Sequence, residues 1–124
     1  MSTRSKHAAR ILDAITTEGR PLSADEVRQL LRDTGVGQAT VYRVLNAAVD
    51  EGLLNKVDLP NEPSRFEPSG LPHHHHFQCD SCGKVFDIRG CPGDLSGMVP
   101  AGFELRSHDI TLRGLCDACR KLAS

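Results

Sequence analysis

The sequence predicts an α+β fold in two small parts: three helices closed by a β-hairpin, then a short, mostly β domain. Three observations predict it. Apolar residues recur at helical spacing through the first 51 residues. A run of turn formers, Pro68-Ser69-Gly70-Leu71-Pro72, then interrupts the chain. After it, short runs suited to strands lie between two Cys-x-x-Cys pairs. The expected parts are therefore 1–67, a linker at 68–72, and 73–124.

Each element has its own signal. Ala8, Ile11, Leu12 and Ile15 share one face of a first helix over 8–18, and Gly19 is placed to end it. Ser23 is suited to cap a second helix, with Glu26 three residues on completing a capping box. Val27, Leu30 and Leu31 form that helix's expected buried face, and Thr34 to Gly37 break it. A third helix runs over 38–51 with Val41, Val44, Leu45 and Ala48 inward, and Gly52 stops it. Short strands at 53–57 and 64–67, joined by a Pro/Asn turn, make a hairpin. Helix, break, helix and hairpin in that order form the pattern of a winged helix-turn-helix, although a small helical bundle with a hairpin has the same periodicity. Beyond the linker, strands are expected at 75–79, 84–88, 103–106 and 108–113; Pro92, Gly93, Gly97 and Pro100 argue against a long helix between the second and third.

Composition limits what this chain can do. It has 124 residues, 4% of them aromatic, with no Trp and one Tyr, so each core is thin. A domain of roughly 60 residues buries only about 60% of its unfolded surface and usually needs a staple or a partner. The formal charge of -1 excludes nucleic-acid binding by bulk charge alone. Basic character is local: Arg4, Lys6 and Arg10 precede the first acid, Asp13, while acids outnumber bases after residue 50. No apolar run reaches the roughly 18–20 residues that span a bilayer, and no signal-peptide pattern opens the chain. A cytoplasmic location with no membrane partner is expected. Cysteines there are reduced, which points paired cysteines toward metal rather than disulfides.

Cys79-Asp80-Ser81-Cys82 and Cys116-Asp117-Ala118-Cys119 are the strongest chemical signal. Two such knuckles supply four thiolates, a set that suits tetrahedral Zn²⁺, and Gly83 favours a tight turn after the first pair. The 33 residues between the pairs require intervening strands to bring them together. A redox dithiol is the alternative. Cys91 matches no pair and reads as a free thiol. His73-His74-His75-His76 stands just before the first knuckle. On an extended strand His74 and His76 point one way and His73 and His75 the other, so each pair can hold a transition metal through imidazole nitrogens. Glu67, Asp87 and Asp94 are nearby carboxylates, and His108 lies further on.

Three segments together resemble the ferric uptake regulator (Fur) family: Ala39-Thr40-Val41-Tyr42-Arg43-Val44-Leu45; then Arg65-Phe66-Glu67 with His73 to His76 and FQCDSCGKVFDI; then Gly102-Phe103, His108 and Gly114-Leu115-Cys116-Asp117-Ala118-Cys119. The match runs in order over nearly the whole chain. The resemblance implies a homodimer with a winged-helix domain and an α/β dimerisation domain. It implies structural Zn²⁺ on Cys79, Cys82, Cys116 and Cys119, and a regulatory hinge ion on Glu67, His74 and His76 with Asp87 as a further ligand. A third site would use His73, Asp94 and His108, with His75 where many members have Asp. Many members also supply a hinge ligand through a His just before the second helix; here that stretch is Arg20-Pro21-Leu22, so the hinge site is either incomplete or takes another ligand such as His7. The segment matching the dimerisation-domain helix is cut short between Pro92 and Pro100.

The same resemblance implies a metal-responsive repressor, not an enzyme, that binds an AT-rich pseudo-palindromic duplex. Arg43 suits a guanine edge, Tyr42 a thymine methyl or a phosphate, and Gln38 and Thr40 the phosphates at the helix start, while Arg4 and Lys6 form a candidate minor-groove arm. Glu67 rather than a Cys at the hinge favours Fe²⁺. Asp87 also permits a peroxide-sensing member, and Zn²⁺, Ni²⁺ or Mn²⁺ sensing stays open. From other classes, His74, His76 and Glu67 are a sufficient ligand set for a zinc hydrolase, though no general base accompanies them, and a zinc-stabilised interaction module would leave the third helix unexplained.

Overall fold

A computed structural model describes residues 3–123 and divides the chain into two compact units, with the boundary after Leu71. In the first unit the element order is α1 (Thr3–Glu18), β1 (Leu22–Ser23), α2 (Ala24–Leu30), α3 (Gln38–Asp50), β2 (Leu54–Val57) and β3 (Arg65–Pro68). The three strands form one antiparallel sheet in the order β1-β3-β2. Helices α2 and α3, with a short 3₁₀ turn at Arg32–Thr34 between them, make the helix-turn-helix, and β2 and β3 make the wing. Helix α1 begins five residues before the apolar pattern suggested, so Arg4 and Lys6 fall in its first turns rather than on an extended arm.

The core of this unit is the stripe the periodicity marks. Ile11, Ile15, Val27, Val41, Val44, Leu45 and Ala48 are buried with Leu22, Leu54 and Phe66. Leu30, expected inward, is exposed. It lies roughly 120° around the helix from Ala24, at the margin of the buried face made by Ala24 and Val27.

The start of α2 is fixed twice. Ser23 Oγ accepts the Glu26 amide at 3.2 Å and Glu26 Oε1 accepts the Ser23 amide at 3.0 Å, closing the capping box. The same carboxylate pairs with Arg20 at 3.0 Å and Arg65 at 3.8 Å, and Arg65 also reaches Glu62 at 3.1 Å. Helix cap, strand β3 and the turn before β1 are thus tied to one side chain. Glu26→Ala should cost about 1–3 kcal/mol, since cap loss alone costs about 1 and Arg65 is buried. Urea unfolding of E26A checks this; a midpoint equal to wild type would contradict the role given to the carboxylate.

In the second unit, β4 (His75–Cys79) is the central strand of a three-stranded sheet, flanked by antiparallel β5 (Val85–Ile88) and parallel β6 (Thr111–Gly114). A short helix, α4 (Asp117–Ala123), follows. The strands expected at 103–106 and 108–113 are replaced by one short strand at 111–114; residues 103–110 run irregularly into it. A 3₁₀ turn at Ser96–Met98 is the only helical segment between β5 and β6 among the described residues.

Candidate metal centres and the exposed face of α3

The register of the second sheet builds the sites. Strand β4 carries Cys79 at its end, opposite Gly114 of β6, and the chain leaving β6 brings Cys116 and Cys119 to the same place. The Cys79-to-Cys82 segment turns tightly, closed by the Gly83 amide on the Cys79 carbonyl at 3.0 Å, with Gly83 at φ +76°. All four sulfurs lie within 4.8 Å of one another, and Cys82 and Cys116 are 3.9 Å apart. A tetrahedral zinc with Zn–S bonds of about 2.3 Å spaces its sulfurs by about 3.8 Å. The amides of Cys82 and Cys116 both donate to Cys79 Sγ, each at 3.4 Å. These backbone donors hold the Cys79 thiol down to about 6, favouring thiolate. At Cys119 the Ser81 hydroxyl pulls the other way from its surroundings, and the neighbouring Cys116 thiol and burial push it up to about 12. The donor set, spacing and knuckle amides all fit Zn²⁺.

The histidine run splits by strand alternation. His74 and His76 share a face, with ring centroids 4.9 Å apart. Asp87 stands opposite His76 in the β4–β5 register, and its Oδ1 lies 3.6 Å from His74 Nε2 and 3.5 Å from His76 Nε2. His74 Nδ1–H donates to the Pro72 carbonyl at 2.8 Å, which turns Nε2 toward Asp87. A backbone carbonyl orienting the far nitrogen is how metal-binding imidazoles are commonly held. These three side chains fit a divalent transition metal with mixed nitrogen and oxygen ligands. Glu67, the further expected ligand, belongs to the first unit, on β3 opposite Asn55. Arg20, where a family His was looked for, is committed to Glu18 and Glu26.

On the other face His73, His75 and His108 gather, but with Cys91 rather than Asp94: those four offer ligand atoms within 4.8 Å of one another. Asp94 instead accepts the Ser96 amide at 2.9 Å and the Ser96 hydroxyl, capping the 3₁₀ turn, and these bonds hold its carboxyl below the usual range. Burial, then the His73 and His108 rings, lower the His75 pKa and keep that ring neutral at pH 7. Sequence reasoning missed Cys91 because no short spacing links it to its neighbours.

In α3 the inward face is apolar and the outward face is polar. Gln38, Tyr42 and Arg43 are exposed and Thr40 is half-buried, so Tyr42 is not a core residue. Arg43 donates to Thr40 Oγ1 at 3.1 Å. Gly37 caps the helix without a side-chain bond to its first amides.

A helix-turn-helix with a β wing, joined to a unit bearing a four-cysteine centre and clustered imidazoles, defines a metal-binding winged-helix protein. The model of the ferric uptake regulator family matches residues 3–113, and the chain belongs to that family. The second cysteine pair lies beyond the matched segment. The ferric uptake regulation protein of Campylobacter upsaliensis is 32% identical over 97 residues, covering 76% of this chain and 62% of that protein. The chain thus spans less than two thirds of that relative's length. The ferric uptake regulator of Francisella tularensis, solved with iron, superposes with TM-score 0.74 at 28% identity over 97% of this chain and 93% of that one. The Vibrio cholerae regulator, described as showing rearrangement of its DNA-binding domains, gives 0.70 at 29% over 94% and 91%.

Proposed function

We propose that the chain is a metal-responsive DNA-binding transcription regulator, a cytoplasmic homodimeric repressor that senses Fe²⁺. The observation that carries this reading is the pairing of a polar, outward-facing α3 with the His74–His76–Asp87 cluster in one chain of this family. Residues of α3 and α1 serve DNA. Arg43 reads a guanine edge, Tyr42 meets a thymine methyl or a phosphate, and Gln38 and Thr40 meet phosphate where the first amides of α3 lack a side-chain cap. Lys6, exposed on the first turns of α1, adds phosphate contacts, with Arg4 beside it in the helix. The operator is an AT-rich pseudo-palindrome, since a two-fold dimer repeats its half-site. Exposed Met98, Phe103, Leu112 and Leu122 of the second unit supply apolar surface for the dimer.

Zn²⁺ on Cys79, Cys82, Cys116 and Cys119 holds the second unit together. The sensed ion takes His74, His76 and Asp87, joined by Glu67 across the 68–72 hinge, and so favours one arrangement of the two units. It shifts that equilibrium only by its differential affinity for the DNA-competent arrangement. The stretch just before α2, Arg20-Pro21-Leu22, holds no His, so this hinge grip either has one ligand fewer than many relatives or takes His7 in that place. A third ion takes His73, His75 and His108.

Anaerobic DNA-binding titrations with Fe²⁺, Zn²⁺, Mn²⁺ and Ni²⁺ test the sensing. Fe²⁺ should tighten operator binding at the lowest free concentration; an equal response to all four would remove the iron assignment. Arg43→Ala should weaken operator binding by about 1–3 kcal/mol and relax preference at one base pair. Competition among single-base operator variants checks this, and a uniform loss across variants would make Arg43 a phosphate contact instead.

A further inference from the structure

We infer that Cys91 is a metal ligand, and that His73, Cys91 and His108, with His75 beside them, form a thiolate-bearing site selective for Zn²⁺-like ions rather than for oxygen-preferring ones. The inference rests on the reading that a third ion binds this face of the sheet, and it changes that ion's chemistry.

The geometry comes from three separate stretches of chain. His73 lies on the approach to β4 and His75 within it. Cys91 sits in the loop after β5, and His108 on the irregular segment that leads into β6. Cys91 Sγ is 3.3 Å from His108 Nε2 and 3.6 Å from His73 Nε2, and His73 Nε2 is 3.1 Å from His75 Nε2. A tetrahedral ion with Zn–S of about 2.3 Å and Zn–N of about 2.0–2.1 Å sets S···N near ~3.6 Å and N···N near ~3.3 Å. The observed spacings already match that frame. The rings also brace one another: His73 meets His75 and His108 edge-on, with centroids 4.5 and 5.3 Å apart, and His75 stacks on His108 at 5.0 Å.

His75 is held differently from the others. Its Nδ1 accepts the Ile110 amide at 3.1 Å, so the neutral ring carries its proton on Nε2, facing the cluster. To ligate through Nε2 as a neutral imidazole, His75 must move that proton to Nδ1 and give up the Ile110 bond, whereas Cys91 gives up its thiol proton as any ligating cysteine does. The minimal ligand set is therefore His73, Cys91 and His108, with His75 as the fourth.

The thiolate sets selectivity. A sulfur with imidazoles favours Zn²⁺ or Co²⁺ over Mn²⁺ or Mg²⁺, which prefer oxygen. Asp94 would have supplied that oxygen, but it is occupied at Ser96. The opposite face of β4 offers two imidazoles and the Asp87 carboxylate. One strand thus presents a softer site and a harder one on its two faces, and the two take different ions from the same mixture.

Cobalt is the probe, because a thiolate ligand gives Co²⁺ an intense near-ultraviolet charge-transfer band. Protein holding its structural zinc, checked by elemental analysis, is titrated with Co²⁺ as wild type, Cys91→Ser, Asp94→Asn and the double variant His73→Ala/His108→Ala. Wild type should show the band; C91S should lose it and bind the corresponding Co²⁺ about ten-fold or more weaker; D94N should match wild type. The double variant should lose one Co²⁺ per chain. If it binds as many Co²⁺ ions as wild type, the third-ion reading fails and this inference with it. If it loses an ion but C91S keeps the band and the affinity, the third ion stands and Cys91 is not its ligand. Circular dichroism and retained zinc show that each variant is folded.

Discussion

Cys79→Ser is expected to release the structural zinc and unfold the second unit. Cys79 is the most buried of the four cysteines, and its sulfur alone accepts two knuckle amides. Structural Zn²⁺ in small domains contributes roughly 10–16 kcal/mol of apparent binding free energy at neutral pH. That is comparable to the roughly 5–15 kcal/mol by which whole domains are stable. The unit has little to offset the loss: its buried apolar side chains among the described residues are Cys79 itself and Val85, whereas the first unit buries a continuous cluster. Zinc content should fall below one per chain, and protease should cut within 73–124 while the first unit persists. A C79S protein that retains zinc and resists protease would remove the structural assignment.

The second large effect is on regulation. Changing His74 and His76 to Ala together should abolish the dependence of DNA affinity on metal and leave the structural zinc in place. Couplings between sites are typically about 1–3 kcal/mol, or roughly 5–150-fold in affinity. The double variant should therefore show the same operator affinity with and without added Fe²⁺, at the metal-free level. The three side chains meet through one carboxylate oxygen, so losing both rings removes both imidazole nitrogens that face Asp87 Oδ1. Retention of a full metal response would move the sensing ion elsewhere. Zinc measured on the same samples separates this from damage to the cysteine centre.

Local signals made the first unit legible. The Ser23–Glu26 capping box, the apolar stripe of α3 and the stop at Gly52 are each written in neighbouring residues, and each is observed. Strand β1 was not legible because two residues carry no alternation; it exists only because β3 offers it an edge. Leu30 was misplaced because a seven-residue helix has a narrow buried face. Helix α4 was hidden inside a cysteine spacing that reads as a knuckle, although Asp117 in its first turn and Arg120 and Lys121 in its last suit a helix dipole. In the second unit the pairing of β4 with β6 spans more than thirty residues, and turn chemistry says nothing of such distances. Asp94 lies near enough in sequence to suggest a ligand, and the resemblance implies one, but its near neighbour Ser96 claims the carboxylate. Cys91 needs three imidazoles delivered by two other stretches of chain, which no motif encodes.

The central claim is that a divalent ion and the operator stabilise the same arrangement of this protein. Linkage makes the claim reciprocal: if the ion tightens DNA binding by some factor, the DNA must tighten ion binding by that same factor. The direct measurement is the Fe²⁺ dissociation constant of the zinc-loaded protein, taken anaerobically with and without saturating operator duplex. The account expects duplex to lower that constant by roughly 5–150-fold and a scrambled duplex to lower it far less. An Fe²⁺ affinity indifferent to operator DNA would show that the ion does not set the reading state of α3.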